Sequence, residues 1–90
     1  MIRIYVGNLH PELTVDDLRA AFESHGHVTS VSLVTDRQTG RSRGFGFVEM
    51  PSDERAQAAL DEMNGLELRG RRLEVTQARP RATIARRFGG

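Results

Sequence analysis

The sequence predicts an α+β sandwich, with two helices packed on one face of a four-stranded antiparallel sheet. Three observations carry this. Strand-like stretches stand at 2–7, 28–35, 43–50 and 72–76. Two stretches with apolar residues at helical spacing stand at about 14–25 and 53–63. Glycine, proline or a helix-capping residue punctuates the junctions. The resulting order, β-α-β-β-α-β, is the split βαβ arrangement of ferredoxin-like domains. Ninety residues allow one such unit with a single modest core.

In the first strand Ile2, Ile4 and Val6 share one phase and Arg3 and Tyr5 the other, as in a half-buried strand. Asn8-Leu9-His10-Pro11 is the turn after it. Thr14 is a good N-cap, and Asp16 and Asp17 fall in the first turn, where the helix dipole favours negative charge. Leu18, Ala21 and Phe22 follow at helical spacing, and Gly26 marks the stop. Val28 to Thr35 is rich in β-branched residues, a second strand. The polar run 36–42 leads to a third strand, Arg43 to Met50. Ser52 caps a second helix whose inner face is Ala56, Ala59, Leu60 and Met63, and Asn64-Gly65 ends it through a left-handed residue. Arg69-Gly70 marks a tight turn before the last strand, Arg72 to Thr76.

Composition narrows the chemistry. Hydrophobic residues at 38% and charged residues at 28% describe an ordinary folded domain. The absence of cysteine excludes disulfides, thiolate metal sites and cysteine nucleophiles. No apolar run approaches the roughly 18–20 residues that span a bilayer, and a strand pattern starting at Ile2 leaves no room for a signal or transit peptide. The expectation is a reducing, soluble compartment without a membrane partner: the cytoplasm of a bacterium, or the nucleus for a eukaryotic chain. His10, His25 and His27 have no carboxylate at metal-ligand spacing, so no metal is expected. There is no phosphate-binding loop of the P-loop type and no recognisable Ser/His/Asp constellation, and the chain is expected to be neither an enzyme nor a cofactor carrier.

The third strand is the informative one. Gly44, Gly46, Val48 and Met50 share one phase; Arg43, Phe45, Phe47 and Glu49 share the other. Periodicity leaves two placements open, because large aromatics usually fill cores. Two facts favour the open face of the sheet. The aromatic phase carries Arg43 and Glu49 at its ends, and charges beneath the helices would be costly. Val48 and Met50 also suit the core beside Ile4 and Val6. On that placement Tyr5, Phe45 and Phe47 form an exposed aromatic patch, which marks a binding surface. Flat rings beside an arginine suit a flat, anionic partner, with bases stacking on the rings and phosphates pairing with guanidinium groups.

Charge distribution agrees. The net charge of +1 divides unevenly. Residues 11–27 and 51–64, the helical stretches, hold eight acids and two arginines, a net of −6, while the rest holds eleven arginines and four acids, a net of +7. The helix side should repel nucleic acid and the strands, loops and tail attract it. All thirteen basic residues are arginine, which suits bidentate phosphate contacts and equally reflects what a GC-rich genome encodes. Residues 80–90, rich in arginine and glycine, show no period and are expected to form a flexible basic tail, with Phe88 able to stack.

At these residues the sequence resembles the RNA recognition motif family. Arg43-Gly44-Phe45-Gly46-Phe47-Val48-Glu49-Met50 matches the family octamer at every position but the last, where Met50 replaces an aromatic. Ile4-Tyr5-Val6-Gly7-Asn8-Leu9 resembles its hexamer on the first strand. The likeness covers about residues 2–79, so the domain is drawn as 1–79 with the tail as 80–90. It implies a monomeric, non-catalytic binder of single-stranded RNA, with single-stranded DNA as a second candidate ligand. It assigns Tyr5 and Phe45 to base stacking, Phe47 to a base or sugar, and Arg43 to a phosphate. Arg3, Thr76, Gln77, Ala78 and Arg79 would flank the site through side-chain or backbone contacts. Glu49 and Glu74 would repel phosphates, but either could accept from a base amino group. The alternative reading is a protein-interaction module that uses the same sheet or the helix face.

Overall fold

The computed structural model describes residues 1–78; the expectations for Arg79 and for the 80–90 tail lie outside the described residues. The elements are β1 (Ile2–Gly7), α1 (Val15–Glu23), β2 (Ser30–Thr35), β3 (Ser42–Met50), α2 (Asp53–Met63), β4 (Glu67–Leu68), β5 (Arg71–Arg72) and β6 (Glu74–Ala78). Four of the strands form an antiparallel sheet in the order β2-β3-β1-β6, and β4 and β5 form a separate small hairpin. This is the ferredoxin-like sandwich.

The period-two pattern decides the layers. Ile4 and Val6 from β1, Val48 and Met50 from β3 and Val75 from β6 are buried in one cluster with Leu18 and Phe22 of α1 and Ala56, Ala59 and Met63 of α2. Both helices therefore cover the same sheet face. Ala21 and Leu60, also expected inside, are partly buried at the rim of this cluster. Met50, the departure from the family octamer, is fully buried and belongs to this core cluster. No helix among the described residues is long and apolar enough to cross a membrane.

Several boundaries differ from expectation, each for a local reason. The first helix ends at Glu23 with Ser24 as its C-cap, earlier than residue 25. The Ser24 hydroxyl donates to the Ala21 carbonyl at 2.8 Å, and the backbone N–H groups of His25 and Gly26 donate to Phe22 and Glu23, three residues back. These are the tightened contacts of a closing turn. Val28 packs into the core ahead of β2, which begins at Ser30.

The largest correction is at the last strand. Arg72 belongs to the small hairpin, turned by Arg69 and Gly70, both at positive φ, and the edge strand starts at Glu74. Leu73 separates the two because its backbone is committed elsewhere. Its N–H donates to Leu66 at 2.9 Å and its carbonyl accepts from Gly65 at 2.8 Å, while its side chain is buried. The Asn64 side chain then takes the Val75 N–H at 3.1 Å, fixing the start of β6 against the end of α2.

Candidate nucleic-acid interface

The sheet face away from the helices is built from the alternate phase of the same strands. Cross-strand register puts Tyr5 of β1 opposite Phe47 of β3 and Thr76 of β6. Arg3 stands opposite Glu49 on one side and Ala78 on the other, and Gly7 opposite Phe45 and Glu74. Residues opposite one another on the same face lie within side-chain contact. None of Tyr5, Phe45 and Phe47 joins the buried core; all three are half-exposed.

The three rings make a connected platform. Tyr5 lies 5.9 Å from Phe45 and 5.9 Å from Phe47, and Phe45 lies 6.4 Å from Phe47, centroid to centroid. The Tyr5–Phe45 pair is tilted at 35°, and the pairs with Phe47 meet edge to face at 65° and 87°. These separations are within the range of favourable aromatic contacts, so the rings hold each other in place without a helix behind them. The guanidinium carbon of Arg3 sits 4.3 Å over the Phe47 ring, a cation–π contact.

The loop between β2 and β3 supplies charge at one edge. Asp36 accepts from the backbone N–H groups of Gln38 at 2.8 Å and Thr39 at 3.2 Å. Those two bonds hold its carboxyl below the ordinary range, against a smaller opposing effect of burial, and the nearby Arg43 guanidinium adds to the lowering. The loop is thereby folded on its own aspartate, with Arg37 and Arg41 exposed along it and Arg43 exposed at the start of β3. None of the three has a carboxylate within 4 Å among the described residues.

The other sequence-predicted residues divide. Thr76 and Ala78 share the platform face. Gln77 does not: it stands opposite Ile4, in the inward phase, although its place at the sheet edge leaves it exposed. Its backbone, not its side chain, borders the platform. Ser30 and Ser32 of β2, not among the residues predicted from the sequence, stand opposite Glu49 and Phe47 and complete the platform's fourth column. Their alternation with the core-packed Val31 and Leu33 is the signal that locates them. Among the described residues no group of three His, Asp or Glu side chains converges as a metal site. His25 is half-buried and pairs its Nδ1 with Glu62 at 3.1 Å.

Comparison with known proteins points the same way. The RNA recognition motif profile matches residues 4–74. The chain is 53% identical over 87 residues to RbpE of Nostoc sp., covering 97% of this chain and 88% of the relative. It superposes on the crystal structure of the RNA-binding protein PG1 with a TM-score of 0.86 at 46% identity, covering 90% of this chain and 98% of the other. It is also similar to the Sxl-lethal protein/RNA complex, with a TM-score of 0.82 and 33% identity over 87% of this chain and 47% of that one. A profile spanning most of the chain, with a relative 53% identical over 88% of its own length, shows that the chain belongs to the RNA recognition motif family.

Proposed function

We propose that this chain binds single-stranded RNA, without catalysing a reaction, on the open face of the β2-β3-β1-β6 sheet. The observation that carries the reading is the contiguous triad Tyr5, Phe45 and Phe47, half-exposed on the face opposite both helices. Bases stack on such rings because every base has a π-face, and each stack contributes about 1–3 kcal/mol. Arg43, with Arg37 and Arg41 beside it, receives phosphates at the loop edge. The similarity to a protein solved in complex with RNA supports the ligand class. The reading places the chain as a monomer acting in RNA metabolism or post-transcriptional regulation in the cytoplasm.

Tyr5 is the sole tyrosine and there is no tryptophan, so tyrosine fluorescence reports on one ring of the proposed platform. Titration with short single-stranded RNA should quench it. Phe45→Ala and Phe47→Ala should each weaken binding by about 1–3 kcal/mol while the melting temperature stays close to that of the parent. RNA that binds without changing Tyr5 emission would move the site off the sheet. A DNA pool titrated in parallel tests whether the sugar matters, since stacking alone does not distinguish the two.

A further inference from the structure

Glu49 is out of place on a surface that binds phosphates. It stands on the platform face between Arg3 and Ser30, at the end of the sheet away from the arginine-bearing loop. It has no cationic partner within 4 Å among the described residues. Its natural partner, the cross-strand Arg3, instead lies over the Phe47 ring. Arg3 and Glu49 also line a cavity of about 390 Å³ with Met1, Ile2, Gln77 and Ala78, at the small end of ligand-sized sites. A carboxylate there repels the RNA backbone but accepts two hydrogen bonds side by side.

Resting on the RNA-binding reading, we infer that Glu49 and Arg3 form a guanine-selective subsite. The Watson–Crick edge of guanine presents two adjacent donors, N2–H and N1–H, followed by the O6 acceptor. Glu49 takes the two donors and Arg3 donates to O6. No other RNA base offers that order: uracil has one donor between two acceptors, and adenine and cytosine each offer one amino donor beside a ring acceptor. A base arriving on Phe47 displaces the Arg3 guanidinium from the ring, which frees its N–H groups for the new contact. The edge of an unpaired, splayed-out base is open to such readout, and a good bidentate contact discriminates by a factor on the order of ten or more.

The test uses the full chain and fluorescein-labelled octauridylate in which one central residue is uridine, guanosine, adenosine or inosine. Inosine keeps N1–H and O6 and lacks only the exocyclic amine. The parent should prefer guanosine to inosine by on the order of tenfold by fluorescence anisotropy. Glu49→Gln, which keeps shape but replaces one acceptor by a donor, should bring that ratio close to one, with affinity for octauridylate retained or raised. Glu49→Ala repeats the test with the group removed, and thermal melts confirm that both variants fold. Equal binding of guanosine and inosine by the parent, or an unchanged ratio in both variants, overturns the guanine subsite and leaves the RNA platform standing. Failure to bind any of the four oligonucleotides, with Tyr5 emission unmoved, brings down the RNA reading itself.

Discussion

A Cβ placed on Gly7 would stand 2.6 Å from the Tyr5 hydroxyl oxygen and 3.0 Å from its ring carbons, so the Tyr5 ring lies over Gly7. The glycine is buried by that ring on the outer face of the sheet. Gly46 faces the other constraint. A Cβ there would meet the Ser32 backbone carbonyl oxygen and, at 3.0 Å, the Leu33 side chain. The two sites should separate binding from stability. Gly46→Ala should destabilise the fold by roughly 1–3 kcal/mol, because backbone on the neighbouring strand cannot move aside cheaply. Gly7→Ala should change the melting temperature less and weaken RNA binding more, since the Tyr5 ring swings away while the ladder stays whole. Parallel denaturation and fluorescence titrations of the two variants check this, and a Gly46→Ala protein as stable as the parent would remove the steric argument.

At the scale of elements, the start of α1 is where a charge is tied to stability. Thr14 and Asp17 form a reciprocal cap, each backbone N–H donating to the other's side chain at 3.1 Å. The Thr14 backbone N–H, then its hydroxyl, hold the Asp17 carboxyl below its ordinary range against the opposing effect of burial. The Arg69 guanidinium, 3.3 Å away on the β4–β5 hairpin, adds to the lowering. A carboxyl with a depressed folded-state pKa stabilises above its unfolded value, about 3.9, and that stability is lost as pH falls through the folded value. Thermal midpoints measured from neutral pH into acid should therefore fall below about pH 4, and Asp17→Asn should flatten that part of the curve. Curves that stay parallel down to the acid end would show that the cap contributes nothing through charge. The same ion pair docks the hairpin against α1, so the turn at Arg69 and Gly70 is anchored by a helix distant in sequence.

Across the whole molecule, the sandwich turns a nearly neutral chain into a polar object. Within residues 1–78 the helical stretches carry a net of −6 and the remainder, with seven arginines and four acids, a net of +3, and the fold stacks the helices on one side of the sheet. An anionic strand is then steered towards the open face and away from the helices. Arg43→Ala should lower the slope of log affinity against log salt by about one unit, measured between roughly 50 and 200 mM salt. A slope unchanged by the substitution would take Arg43 out of the phosphate contacts.

Much of this was legible in the chain itself. Alternation in Ile2–Gly7 and Ser42–Met50 separates two sets of side chains, and Thr14 and Ser52 announce the helices they cap. The residues that share a face with Phe47 follow from a period of two alone, because that period is a property of extended backbone. Which set is covered is not such a property. It depends on where α1 and α2 pack, and only the tertiary structure decides that Val48 lies beneath them and Phe47 does not. The same holds for Leu73, whose β-strand neighbours suggested a continuous ladder until contacts with Gly65 and Leu66 claimed its backbone. It holds too for Gln77, placed on the inward phase by its register with Ile4. Local pattern determines which residues travel together; long-range packing and hydrogen bonds between distant segments determine which of them meet the solvent.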